Sequence, residues 1–132
     1  MVQRMINEQM LRLVAIKEAQ SILDSLTGVV GVVIATADGF ELTSVSHSSA
    51  TSPARVAAMA SSISAIGMAV AAEAGLGRSR AITINTETGF AHMATAYRSD
   101  VTLVVNVIGG PRAVLAQASY RCAQCVRALE AV

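Results

Sequence analysis

The chain has 132 residues, of which 53% are hydrophobic and 3% aromatic, and its 10 basic and 9 acidic side chains leave a formal net charge of +1. This near-neutral, aromatic-poor composition excludes the basic, base-stacking surface that is typical of nucleic-acid-binding proteins. The length predicts a single domain over residues 1–132, and the mean hydropathy of +0.54 predicts apolar surface left over for a subunit contact.

The first predicted helix covers residues 4 to about 27. Its apolar residues recur at helical spacing on one stripe: Leu11, Val14, Ala15, Ala19, Ile22, Leu23 and Leu26. Gly28 follows, at the position where a left-handed residue commonly ends a helix. Arg4 and Glu8 interrupt the apolar run that a secretory signal needs, which favours a cytoplasmic protein with reduced cysteines.

A β-hairpin is predicted next. Residues 29–37 and 40–45 are β-prone runs that flank Asp38-Gly39, a dipeptide typical of tight two-residue primed turns. A small polar loop at residues 46–51 then connects the hairpin to a second helix.

The second predicted helix begins after Ser52, a favoured cap, with Pro53 in its first turn, and it extends to about residue 74. One stripe is expected to face the sheet: Val56, Ala60, Ile63, Gly67, Val70 and Ala74. The opposite side is small or apolar, although an ordinary surface helix is polar there. This composition predicts packing against a partner subunit, with burial under the third helix of the same domain as the alternative.

Three strands and a third helix complete the predicted topology, αββαβββα. The strands cover residues 80–85, 90–97 and 101–108, and the helix runs from Gly109-Gly110-Pro111 to the C-terminus. The first and fifth strands are apolar at nearly every position, as strands covered on both faces are, whereas the others alternate. The prediction is therefore an α/β fold (an α+β sandwich) with a mostly antiparallel sheet, strand order 2-1-5-4-3, and helices on both faces.

The chain resembles the roadblock domain family, which includes roadblock-type dynein light chains and bacterial regulators of Ras-like GTPases. The resemblance extends over residues 11–129 and rests on three segments. These are the glycine- and valine-rich hairpin at residues 28–40, the alanine-rich second helix, and the three-strand segment that ends in Val104-Val105-Asn106-Val107-Ile108.

This resemblance implies the same strand order and a homodimer in which the second helices pair and the third strands join two sheets into one. It also implies a non-catalytic adaptor or regulator that binds a Ras-like small GTPase, with no cofactor. The dimer and partner interface is expected at Arg55, Met59, Ser62, Ala65, Ile66, Met68, Ala69, Glu73, Ile82 and Ile84.

Cys122 and Cys125 are the basis of a rival interpretation, because thiols three residues apart share one helix face. A redox pair favours a helix N-terminus, and these residues lie about three turns inside the predicted helix. A structural zinc site needs four ligands, which only a dimer could supply from this pair. Two buried, inert thiols remain the simpler interpretation.

The remaining candidate sites are weak. His47 and His92 have no partners in a triad or ligand pattern, and no two carboxylates are placed for acid–base catalysis, so no enzyme is expected. A small-molecule sensor is a further possibility, but it needs a cavity. The charge-free residues 56–72 are barely long enough to span a membrane and are rich in alanine and serine, so no membrane span is expected.

Overall fold

The computed structural model describes residues 1–47 and 52–132, so most of the predicted polar loop lies outside the described residues. The elements are, in chain order, α1 (Val2–Ser25), β1 (Val29–Thr36), β2 (Glu41–Ser46), α2 (Pro53–Glu73), β3 (Ala81–Thr86), β4 (Gly89–Ala96), β5 (Leu103–Gly109) and α3 (Leu115–Glu130). The predicted topology is thus confirmed, with element ends shifted by a few residues.

The five strands form one antiparallel sheet in the predicted order β2-β1-β5-β4-β3. The central strands β1 and β5 are buried almost throughout, because helices cover both of their faces. The edge strand β2 is half-buried, and β3 is largely exposed. The apolar runs and the alternating runs therefore predicted the strand positions correctly.

The main core lies between the sheet and the pair α1 and α3, where the predicted α1 stripe packs. Ile22 and Leu129 of the two helices are fully buried there, beside Ile34 and Val105 of the central strands. On the other face α2 lies alone, and it forms two small clusters with β1, β4 and β5. Because α2 is the only helix on this face among the described residues, much of its surface is left exposed.

The hairpin turn differs from the prediction. Among the described residues only glycines have a positive φ, so Gly39 takes +97° and Asp38 does not. The Gly39 N–H donates to the Thr36 carbonyl at 2.9 Å, and the Thr36 N–H donates to the Phe40 carbonyl at 2.8 Å. The connection is therefore longer than a two-residue primed turn. In this turn Gly39 alone takes the left-handed conformation, and its Cα lies against Ala58 and Ser61 of α2, so the turn is shaped by its tertiary neighbours.

The start of α3 also differs, because the helix begins at Leu115 and not directly after Pro111. The intervening residues form a turn in which the Gly110 N–H donates to the Gly28 carbonyl at 2.9 Å. Gly28 has φ +83°, and a Cβ there would collide with the backbone of Arg112 and Ala113. The two backbone segments approach closely here, and α3 begins only after this contact. The sequence pattern does not indicate such a contact.

Candidate functional site

The sheet-facing side of α2 is narrow. Only Ala57, Ala60 and Ser64 are buried, and these small residues bring the helix close to the sheet. Gly67 continues the line, and a Cβ at that position would collide with the Cδ1 atom of Ile82 in β3. The absence of a side chain at Gly67 thus lets the edge strand touch the helix.

The predicted sheet-facing stripe is wrong at its C-terminal end. Val56, Ile63 and Gly67 are half-buried as expected, but Val70 is 61% exposed and Ala74 is exposed. The helix passes beyond the sheet there, because β3 is the edge strand of the sheet and meets α2 near Gly67. The last turn of α2 therefore has no sheet beneath it.

A straight stripe of residues on the outward face of α2 is exposed. Its members recur at steps of four and three: Arg55, Met59, Ser62, Ile66, Ala69 and Glu73. Met59 is 57% exposed and Ile66 65% exposed, which is unusual for large apolar side chains on a monomeric surface. We call these six residues the α2 stripe. All of them were predicted as interface residues, and the structure brings them together on one line.

The two charges of the α2 stripe oppose the helix dipole. Arg55 lies in the first turn, near the positive helix end, and Glu73 lies in the last turn, near the negative end. Each placement costs helix stability, typically about 0.3–1 kcal/mol. Neither residue has an ion pair within the described part of the chain. These charges therefore suit a contact outside the monomer better than they suit the helix itself.

The edge strand β3 extends the same surface. Its residues, Ala81-Ile82-Thr83-Ile84-Asn85-Thr86, include no charge and no proline, although these are the usual protections of an exposed edge. Ile82 is half-buried against α2, and Ile84, two residues further on the same face, is 39% exposed. Ile82 thus contacts α2, and Ile84 lies on the same face of the strand.

Ala65 and Met68 lie on a different flank of α2. Ser61 lies on the same flank, one helical turn before Ala65 and two turns before Met68. Its hydroxyl donates a hydrogen bond to the Ala37 carbonyl at the hairpin tip. Met68 is 39% exposed and Ala65 is exposed, on the side nearer the hairpin and away from β3. The predicted interface residues therefore divide between two neighbouring surfaces.

The cysteines lie far from this surface, in the core beneath α3. Both thiols are free and fully buried, and the Cys122 Sγ lies 3.9 Å from the Val105 carbonyl oxygen. Burial raises the pKa of Cys122 to about 12, and it also raises the pKa of Cys125 well above its usual range. Because the thiolate is the reactive and metal-binding form, this environment opposes redox and zinc chemistry. The described residues contain no cluster of three or more metal-ligating side chains.

The positions of the two histidines concern the possibility of catalysis, and the packing of the interior concerns the possibility of a small-molecule sensor. His47 is exposed, and His92 is buried against Thr83 in the neighbouring strand. The interior beside the central strands is filled by fully buried side chains, Val32, Ile34, Val105 and Val107 among them. A small-molecule sensor needs an internal cavity beside these strands, and the packing of these side chains does not support one.

Within the described residues, α2 is the one helix long and apolar enough to span a membrane, with a mean hydropathy of 1.5 in its most apolar part. Length and composition alone are weak evidence, because a helix of a globular core can pass the same test. Here α2 lies along the sheet, with Ala57 and Ala60 packed on β1, β4 and β5. Its apolar composition fits an interface at least as well as a membrane.

One surface was missed at the sequence level. Six apolar residues on the outer face of α1 are each 44–71% exposed: Val2, Met5, Ile6, Met10, Leu13 and Ile16. Apart from the adjacent pair Met5 and Ile6, they recur at steps of three and four, so a second helical stripe was visible in the sequence. It was hidden by the stronger buried stripe of the same helix.

Sequence comparison identifies the family. The sequence profile of the Roadblock/LC7 domain matches residues 15–106, more than two-thirds of the chain. The chain belongs to the Roadblock/LC7 domain family. Members of this family are generally regulators or adaptors, so the predicted family and the coarse expectation of a roadblock-type regulator both hold. No curated protein matches the chain significantly in sequence.

Solved structures of roadblock proteins share the fold. A Roadblock/LC7 domain from Streptomyces avermitilis gives a TM-score of 0.75 at 18% identity, over 85% of this chain and 91% of that chain. The gliding protein MglB from Thermus thermophilus gives 0.79 at 16% identity, over 91% and 88%. MglB from Myxococcus xanthus gives 0.73 at 13% identity, over 93% and 86%. At these identities the likeness shows the fold alone.

Proposed function

We propose that this protein is a cytoplasmic, non-catalytic homodimer that binds a Ras-like small GTPase and modulates its nucleotide cycle or its location. The observation that carries the proposal is the uncovered α2 stripe beside the unprotected edge of β3. Family membership supports the regulatory role, and the mainly apolar surface supports a protein partner.

The α2 stripe is self-complementary in an antiparallel pair. A two-fold axis that crosses the helix pair at the height of Ser64 places Arg55 of one copy opposite Glu73 of the second copy. The reason is that Arg55 and Glu73 are equally far from Ser64 in the sequence. The same axis places Met59 opposite Ala69 and Ile66 opposite Ser62, a large residue against a small one each time. Both charges that oppose the helix dipole then gain a partner.

The same two-fold axis suits the edge strand. Two β3 strands related by this axis are antiparallel. The unpaired N–H and C=O groups along the edge of each strand can then form hydrogen bonds with those of the other. Joining them extends the sheet across the dimer and covers Ile84. When the two sheets join edge to edge, the two α2 helices lie side by side on one face of the joined sheet, so they meet along the edge of the α2 stripe nearest β3, at Met59 and Ile66. The helix pair and the strand pair then form one continuous interface, as a stable homodimer requires.

The GTPase is proposed to bind the flank of α2 that this dimer leaves open. Ala65 and Met68 lie there, near the hairpin tip, and the dimer presents the flank twice. Methionine adapts to the shape of a partner, which suits a protein that must distinguish two states of a switch protein. Arg55 is the single arginine of α2 and is used in the dimer, so acceleration of hydrolysis would arise by reshaping the GTPase and not from an arginine finger.

Charge exchange tests the dimer. Arg55→Glu and Glu73→Arg each create like-charge contacts at both ends of the helix pair, so each should weaken dimerisation roughly tenfold in analytical ultracentrifugation. The double variant restores opposite charges and should restore the dimer. A monomeric wild-type protein, or a double variant as weak as the single variants, would refute this geometry.

A pulldown tests the partner. The bait is this protein, and the probe is a Ras-like GTPase encoded beside its gene, loaded with GTP or GDP. Met68→Asp should abolish capture without changing the dimer, whereas Ile66→Glu should dissociate the dimer, because an unpaired charge at the seam is costly. Met10→Asp, the same kind of change on α1, should capture normally. Failure of both nucleotide forms to bind would refute the proposed partner.

A further inference from the structure

A second surface lies between α3 and the beginning of β3. Because α3 packs on β4 and β5 and not on β3, it leaves a groove of about 1240 Å³ between the helix and the edge of the sheet. The side chains that line its middle include small and apolar ones, such as Ala81, Ala94, Ala123 and Val126. No step of the proposed GTPase binding uses this groove.

Three arginines line the groove. Arg78, Arg80 and Arg127 are exposed, and none forms an ion pair within the described part of the chain. Glu130 is the single acidic residue in the lining, and its Oε2 atom already accepts a hydrogen bond from the Tyr97 N–H at 2.9 Å. The groove therefore keeps a net positive charge, because three arginines stand against one carboxylate.

One of the arginines is held in position before any ligand arrives. The Arg78 guanidinium lies over the Tyr97 ring, 4.6 Å from its centroid, and the Tyr97 hydroxyl donates to the Ser79 carbonyl at 2.7 Å. A stacked guanidinium keeps its in-plane N–H groups free for a carboxylate. This arrangement lowers the entropy that Arg78 would lose on binding.

The dimensions of the groove suit a short peptide better than a small anion. It follows α3 from Ser119 to Glu130, a rise of about 16 Å along the helix axis. That length accommodates about five residues of extended chain. Charged residues distributed along the groove, over an apolar floor, match a segment that alternates acidic and apolar side chains.

We propose that this groove binds an extended acidic segment of a partner protein. The acidic side chains would pair with Arg78, Arg80 and Arg127, and the apolar ones would contact Ala123 and Val126. We take the occupant to be a different protein, because the two acidic residues of this sequence that are closest to each other, Asp38 and Glu41, lie in the hairpin turn and at the start of β2 and do not form an alternating extended segment. The protein thereby has a second docking site, for a partner other than the proposed GTPase.

Peptide binding to the full chain tests the proposal. The probe is a short fluorescein-labelled peptide that alternates Glu and Leu, followed by fluorescence anisotropy at low ionic strength. The control peptide has Gln in place of Glu. The acidic peptide should bind, and its addition should shift amide resonances of α3 near Ala123 and Arg127 in NMR spectra, with the resonances of Met59 and Ile66 on the outward face of α2 unchanged.

Three variants locate the site. The double variant Arg80→Gln/Arg127→Gln should weaken binding roughly tenfold, because it removes two charged contacts. Lys17→Gln/Arg112→Gln removes the same charge from exposed positions outside the groove and should bind as the wild type does. Ala123→Glu places a negative charge at an exposed helix position, where we expect folding to be retained, and should repel the peptide.

Four results would overturn the proposal. They are equal binding of the Gln peptide, equal loss in the two double variants, full competition by inorganic phosphate at millimolar concentration, and resonance shifts confined to α2. Phosphate competition would identify a small-anion site instead. The oligomeric state of each variant is measured in parallel, so failure of this proposal is distinguishable from failure of the proposed dimer.

Discussion

The Nδ1 atom of His92 lies 2.7 Å from the hydroxyl oxygen of Thr83, directly across the β3–β4 pair. Elsewhere β3 is exposed at most positions, so this hydrogen bond is a major side-chain attachment of the edge strand to the sheet. His92 is 5% exposed, and burial lowers its pKa from the ordinary value. The edge strand is thus attached by a group that protonates near neutral pH in an unfolded chain.

Stability should therefore depend on pH through His92. Because its pKa is lower in the folded protein, the unfolded chain binds more protons as the pH falls through about 6.5, and the folded state loses stability on acidification. Urea unfolding from about pH 8 to about pH 5 measures this slope. His92→Gln should show a shallower slope, whereas the exposed His47→Gln should match the wild type. An unchanged slope in His92→Gln would contradict the assignment.

The fold was predictable because its main determinants are local. The apolar runs of β1 and β5 and the alternation in β3 follow directly from how many faces of each strand are covered. The hairpin turn and the start of α3 were not predictable in this way. The Gly39 conformation and the backbone contact at Gly28 both depend on tertiary neighbours.

The candidate site was predictable as a helix but not as two surfaces. Sequence periodicity separates buried from exposed faces, and it correctly marked Met59 and Ile66 as exposed. It does not say where the sheet ends beneath a helix, which is why Val70 was misplaced. Nor does it indicate which flank lies near the hairpin, and this is what separates Met68 from the α2 stripe.

Arg98 should be important for the stability of α3. Its side chain is 7% exposed, it pairs with Asp100 at 3.0 Å, and it donates to the carbonyls of Leu129 and Val132 at the C-terminal end of α3. Arg98→Gln removes a charged donor from these carbonyls and should lower the free energy of unfolding by about 2 kcal/mol. The exposed Arg112→Gln should change it by less than about 0.5 kcal/mol. Equal effects of the two variants in urea unfolding would argue against this role.

The cysteines should be unreactive in the folded protein. With the pKa of Cys122 at about 12 and that of Cys125 raised further, almost no thiolate exists at pH 8, and burial blocks the reagent as well. Labelling with Ellman's reagent should be at least roughly 100-fold slower than in denaturant. A cysteine introduced by Ala123→Cys, on the exposed face of the same helix, should label rapidly. Rapid labelling of the native pair, or zinc retained after purification, would revive the redox or metal interpretation.

The close contact of α2 with the sheet should make it sensitive to side-chain size on one face only. Ala60 is 2% exposed against Met93 and Val104, so Ala60→Leu overpacks this cluster and should cost about 1–3 kcal/mol of unfolding free energy. Ala72 is exposed on the same helix and lies outside the α2 stripe, so Ala72→Leu should be nearly neutral. Thermal and urea unfolding compare the same substitution at both positions. If Ala60→Leu were neutral as well, α2 would be only loosely attached to its own sheet. The proposed dimer surface would then have no fixed position, so this comparison tests the support beneath that surface.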